Sequence, residues 1–118
     1  MLKETVVDKY VKAAVTHGDF NNSVDEVNRA YDTMVEMRAE LWKLPDHGEE
    51  VLTRLTRHEN LDVRIAAATD LLPLNERQAI LTLEGAAKKS GLSAFTAKMV
   101  LQEWRNGNLI DYLSKPKK

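Results

Sequence analysis

The sequence predicts an all-α fold of about three antiparallel helical hairpins, and three observations carry that prediction. Apolar residues recur three and four apart through most of the chain, while no stretch alternates with period two between turn residues. Helix punctuation is dense: Ser23 with Glu26, Asn60, Asn75 and Ser93 stand where helices would start, and Gly18, Pro45, Pro73, Gly91 and Gly107 stand where they would stop. The stretch NLDVRIAAATDLL, residues 60–72, spreads apolar side chains over roughly 200° of a helical wheel, far more than the roughly 100° stripe of a helix lying on one surface. That helix needs neighbours on two sides.

Taken in order, a first helix is predicted from about Leu2 to His17, with Val6, Val7, Tyr10, Val11 and Ala14 as its apolar side and Gly18 ending it. DFNN is a turn. Ser23 and Glu26 form a capping box, each side chain satisfying a free backbone N–H of the other, and open a helix to about Lys43. Val27, Tyr31, Met34, Arg38, Leu41 and Trp42 share one side of it, and Asp25, Arg29, Asp32, Glu36, Glu40 and Lys43 the opposite edge. Pro45 stops this helix, and Asp46 with Glu49 repeats the capping pattern for a short helix to about Arg57.

His58 and Glu59 turn the chain into the central helix, where Val63, Ala67, Ala68 and Leu71 read as core and Asp62, Ala66, Thr69 and Asp70 as the wet face. Arg64 falls inside the apolar arc, where a charge is costly without a partner. Asn75 caps a helix to about Lys89, Ser90 and Gly91 make a turn, and a last helix runs from a Ser93 cap to about Asn106. Residues 108–114 either dock or fray, and the closing KPKK, residues 115–118, is expected to be a disordered basic tail beyond a single domain of 1–114.

An offset of 32 residues aligns the central and last helices. It matches Val63 with Phe95, Ile65 with Ala97, Ala67 with Met99, Ala68 with Val100 and Leu72 with Trp104, which reads as a degenerate internal repeat with Phe95 and Met99 in the core. In that phase Glu103 becomes a candidate ion partner for Arg64.

Composition narrows the chemistry. The 118 residues contain no cysteine, so neither a disulfide framework nor a thiolate metal site can form. No apolar run approaches the roughly 18 residues of a membrane span, and MLKETVVDKY lacks a signal peptide's apolar centre, so a soluble cytoplasmic protein is expected. The formal net charge is −1, yet residues 1–62 hold 13 acids against 8 bases and residues 63–118 hold 5 against 9. Such asymmetry bears on partners and association rates. His17, His47 and His58 lie at helix ends or turns without a second ligand at helical spacing, and Gly85, Gly91 and Gly107 are isolated helix punctuation. Neither a metal, a cofactor nor catalysis is expected.

Two surfaces remain. Asp25, Asp32, Glu36 and Glu40 line one edge of the second helix, and Asp62, Thr69, Asp70 and Gln102 line the wet edges of the fourth and sixth, so these eight are the candidate contacts for a protein partner. The alternative begins at Gly85: Ala87, Gly91, Leu92, Ala97 and Val100 have spacing similar to a DNA-binding helix-turn-helix. Lys88, Lys89, Lys98 and Arg105 would then meet phosphates, with Ser93, Ala94 and Thr96 toward bases.

The order Asp62, Val63, Arg64, two alanines and leucine resembles the second helix of a HEAT repeat. That resemblance implies a short right-handed solenoid in which Asp62 and Arg64 link adjacent repeats. Together, DVRIAAATDLL and FTAKMVLQEWRNGNL resemble a family of small bacterial HEAT-like proteins filed as domain of unknown function 2019. Small helical proteins of this kind also serve as immunity partners of secreted bacterial toxins. The expectation is therefore a non-enzymatic interaction module, an immunity protein that occludes a toxin, with nucleases favoured because an acidic helix imitates a phosphate backbone.

Overall fold

A computed structural model of the protein describes residues 1–114, so the expected KPKK tail lies outside the described residues. These residues form seven helices and no strand: α1 Lys3–Gly18, α2 Val24–Trp42, α3 Glu49–Leu55, α4 Leu61–Leu71, α5 Glu76–Ala87, α6 Leu92–Arg105 and α7 Ile110–Ser114. The chain divides into two compact units, one of Met1–Gly48 and one that begins at Glu49.

In the first unit α1 packs along α2. Val6, Tyr10, Ala13 and Ala14 are the buried side of α1. The capping box forms as expected, with the Glu26 N–H donating to the Ser23 hydroxyl and the Ser23 N–H donating to the Glu26 carboxylate, both at 3.1 Å. Those bonds, the backbone one first, hold the Glu26 carboxyl below its usual range. The buried side of α2 is Ala30, Met37, Arg38 and Leu41, which displaces the expected side by part of a turn and leaves Tyr31 44% exposed. Alanine at position 30 offers the small surface that lets a neighbouring helix approach, whereas the Tyr31 ring lies out beside His17, with centroids 6.0 Å apart.

α3 begins at Glu49, after a turn in which Asp46 accepts the Gly48 N–H at 2.9 Å and His47 and Gly48 take consecutive left-handed conformations with φ of 57° and 86°. His47 folds back over the end of α2, donating from Nδ1 to the Trp42 carbonyl at 2.7 Å and stacking on the indole at 4.4 Å.

In the second unit α4 lies against α3 and α5 and also touches α6. Its buried residues, Val63, Ile65, Ala67, Ala68, Asp70, Leu71 and the following Leu72, cover the wide arc that the sequence demanded. Asn60 and Asn75 cap α4 and α5 by accepting the Val63 and Gln78 N–H groups. At the end of α6 the Gly107 N–H donates to the Trp104 carbonyl and the Asn108 N–H to the Glu103 carbonyl, with Gly107 at φ 79°, which is a Schellman stop. The chain then docks, burying Leu113 of α7.

The start of α6 differs from expectation. Gly91 occupies the cap with φ 94° and no side-chain bond, and Ser93 lies inside the helix. The 32-residue alignment fails in phase as well: α6 buries Ala94, Ala97 and Leu101, while Phe95 is 58% and Met99 39% exposed. Alanines face the neighbours because they let helices come close, and α6 has no second layer to cover its larger residues within this unit.

Candidate interaction surfaces

The acidic edge of α2 forms as the sequence predicts. Asp25, Asp32 and Glu36 are exposed along one side of a 19-residue helix, with Asn28 and Arg29 beside them. Glu40 continues the edge half-buried, where its carboxylate accepts from the Lys43 ammonium at 2.8 Å and is held below its usual range by that bond. Lys43 therefore neutralises the C-terminal end of the edge, and the negative charge concentrates over its first three turns.

The α4 residues behave differently. Asp62 is half-buried and its carboxylate accepts the Ser93 hydroxyl of α6 at 2.7 Å. Thr69 is half-buried, and its hydroxyl donates back to the Ile65 carbonyl at 2.7 Å. Asp70 is 8% exposed, contrary to its expected place on the wet face. The reason is its phase: seven residues after Val63, it sits within roughly 20° of that core position on the helix. Gln102 is exposed on α6. Of the eight candidate contacts, Asp25, Asp32, Glu36 and Gln102 are thus fully available.

The expected ion pair between Arg64 and Glu103 is not made. The Arg64 guanidinium turns back on its own helix start and donates to the carbonyls of His58 and Glu59, at 2.8 and 3.0 Å, while Glu103 accepts from the Asn108 amide. Both bonds come from one guanidinium nitrogen, Nη1, which reaches the two successive carbonyls of the turn between α3 and α4. Arg64 thus fastens the α3–α4 turn, and the bond that joins α4 to α6 is Asp62 to Ser93. Asp62→Asn and Ser93→Ala are each expected to destabilise by about 1 kcal/mol, and the double change by clearly less than the sum. Additive losses in denaturant titrations would show that the two groups do not interact.

On the basic side, Lys88, Lys89 and Lys98 are exposed, whereas Arg105 pairs with Glu84 at 3.2 Å. Two of the three residues expected to face bases are turned inward: Ser93 is held by Asp62 and Ala94 is buried. What projects outward from α6 is an apolar row, Leu92, Phe95 and Met99, of which the repeat alignment places Phe95 and Met99 in the core. The signal that could have found it is the alanine pair: Ala94 and Ala97 mark the close-packed side, which leaves Phe95 and Met99 opposite.

Among the described residues no three His, Asp or Glu side chains are gathered as metal ligands, and no helix is long and apolar enough to cross a membrane. The His58 Nδ1 accepts the Asn60 N–H at 3.0 Å, so His58, like His47, is engaged in turn geometry. The family described as Domain of unknown function (DUF2019) matches residues 4–104. No curated protein and no solved structure matches the chain.

Proposed function

Because the chain belongs to the DUF2019 family, whose description names no activity, we propose a function from its own surface: a non-enzymatic protein-interaction module, an immunity protein of a bacterial toxin system, acting in the cytoplasm. One observation carries this reading. Asp25, Asp32 and Glu36 stand exposed on a single well-capped helix, with carboxylates at i, i+7 and i+11. A rigid helix keeps the charges at fixed intervals, so a basic groove is recognised with little ordering cost, and complementary charge speeds the encounter. A nuclease groove built to hold phosphates is a partner of this chemistry, and a helix that fills it occludes the substrate.

In this reading α3–α4 and α5–α6 are successive HEAT-like hairpins of the second unit, and α2 of the first unit carries the binding edge. The DNA-binding alternative is weaker, since Ser93 and Ala94 are occupied in packing and Arg105 is neutralised by Glu84.

The test is a partner assay with the triple variant Asp25→Lys, Asp32→Lys and Glu36→Lys. Wild type is expected to bind one toxin domain stoichiometrically and to protect cells expressing it, with affinity falling about tenfold or more between roughly 50 and 500 mM salt. The variant should keep its helical circular dichroism and lose both binding and protection. Protection by the triple variant would sink the proposal. A DNA gel shift that vanishes when Lys88, Lys89 and Lys98 are changed would replace it with the helix-turn-helix reading.

A further inference from the structure

α6 is apolar on two opposite sides. Ala94, Ala97 and Leu101 are buried against the unit, while Leu92, Phe95 and Met99 project the other way, with Leu92 and Phe95 each 58% exposed. The helical step places these three within roughly 60° of one another, at the a, d, a spacing of a helix-packing seam. Exposed lysines stand beside the row: Lys98 on the same helix, and Lys88 and Lys89 in the turn that leads into it. A helix with two apolar faces is built to be covered on both.

The same chain carries a matching row of opposite charge. On α2, Val24 is 76% exposed and Tyr31, seven residues on, 44%. They lie within roughly 20° of each other, and half-buried Val35 continues their line. Asp25, Asp32 and Glu36 flank this row on one side. The intervals agree: Val24 to Tyr31 and Leu92 to Met99 are both seven residues, about 10.5 Å along a helix.

We propose that α6 of one copy of this chain docks on α2 of a second copy, head to tail, with Leu92, Phe95 and Met99 packed against Val24, Tyr31 and Val35, and lysines 88, 89 and 98 facing Asp25, Asp32 and Glu36. The contact is heterologous: each copy keeps one unused α2 row and one unused α6 row, so association continues past the dimer into rings or open chains. A single helix pair buries less than a standard protein interface, so the association is weak and concentration-dependent. Self-association and partner binding then share α2, so a basic partner of the proposed kind disperses the assembly. This inference goes beyond the immunity reading and stands without it.

Sedimentation of the full chain over about 5 to 300 μM tests it. Mass is expected to rise with concentration beyond twice the monomer, and the rise to weaken about tenfold when salt goes from roughly 50 to 500 mM. Two variants separate the faces: Phe95→Glu with Met99→Glu removes the α6 row, and Val24→Lys with Asp32→Lys removes the α2 row. All four positions are exposed, so circular dichroism should be unchanged. Each variant alone should be monomeric, and an equimolar mixture should stop at a one-to-one dimer through the single remaining pair of faces. A charge exchange, Lys98→Glu together with Asp32→Lys, should restore association that either change alone weakens. A wild-type chain that stays monomeric, an α6 variant that still self-associates, or a mixture that fails to pair each overturns the proposal. The α6 variant retains the acidic edge, so its toxin binding is expected to persist, and loss of that binding in wild type bears only on the immunity reading.

Discussion

Gly48→Ala is expected to lower the stability of the chain by about 2–5 kcal/mol, which for a protein of this size moves Tm down by about 10–20 °C. Two effects add. Gly48 has φ +86°, where an L side chain is strained by about 1–2 kcal/mol. A Cβ there would also stand 2.8 Å from the Leu41 Cβ, and Leu41 is buried at the end of α2 with little room to retreat. Shifting it costs about 1–3 kcal/mol more. Gly85→Ala is the control: that glycine is in α5 with nothing within 4 Å of an added Cβ, so alanine should raise stability by about 0.5–1 kcal/mol. Thermal melts of the two variants should move in opposite directions. Equal shifts would mean that the turn after Trp42 does not hold Gly48 in its left-handed conformation.

The second large effect is in α4. Leu71 has no exposed surface in a helix packed against α3 and α5, so Leu71→Ala should cost about 2–5 kcal/mol, the upper part of that range applying if the neighbours cannot collapse into the void. Phe95→Ala removes a larger side chain and is expected to change monomer stability by less than about 0.5 kcal/mol, since its ring is outside the core. Denaturant midpoints measured at low protein concentration, where self-association is negligible, compare the two. A Phe95→Ala loss as large as that of Leu71→Ala would mean that α6 packs through the row assigned here to its outer side.

That contrast also shows what the residues disclosed and what they withheld. Local chemistry was legible: the Ser23–Glu26 box, the Asn75 cap and the Gly107 stop are set by a few neighbouring side chains, and each forms as the sequence predicts. The breadth of the apolar arc on α4 correctly required covering on two sides. Phase was not legible where a helix is apolar all round. On α6 either Phe95 and Met99 or Ala94 and Ala97 could have faced inward, and hydrophobicity alone favours the larger pair. Close helix packing favours the alanines, and packing decided it.

Side-chain reach was the other blind spot. The HEAT resemblance implies a link between repeats at Arg64, and its place in the apolar arc asks only for a partner; the long side chain finds one by returning to the turn carbonyls of His58 and Glu59. Ser93 was read as a cap because serine favours that role, but a hydroxyl one residue inside α6 met a carboxylate 31 residues away, which no local rule anticipates. The acidic edge of α2 needed no tertiary knowledge. Charges at helical spacing on the side opposite the apolar residues face water in nearly any fold, and Asp25, Asp32 and Glu36 do.

The stack of His47 on Trp42 closes the end of α2, and the other tryptophan of the chain, Trp104, donates its indole N–H to the Glu76 carboxylate at 2.6 Å. One indole belongs to each of the two compact units. The chain therefore carries two built-in fluorophores in different surroundings, one stacked on an imidazole and one hydrogen-bonded to a carboxylate. Replacing one indole at a time with phenylalanine turns each unit into its own optical thermometer, and superposition or separation of the two melting curves reads out whether the units unfold as one.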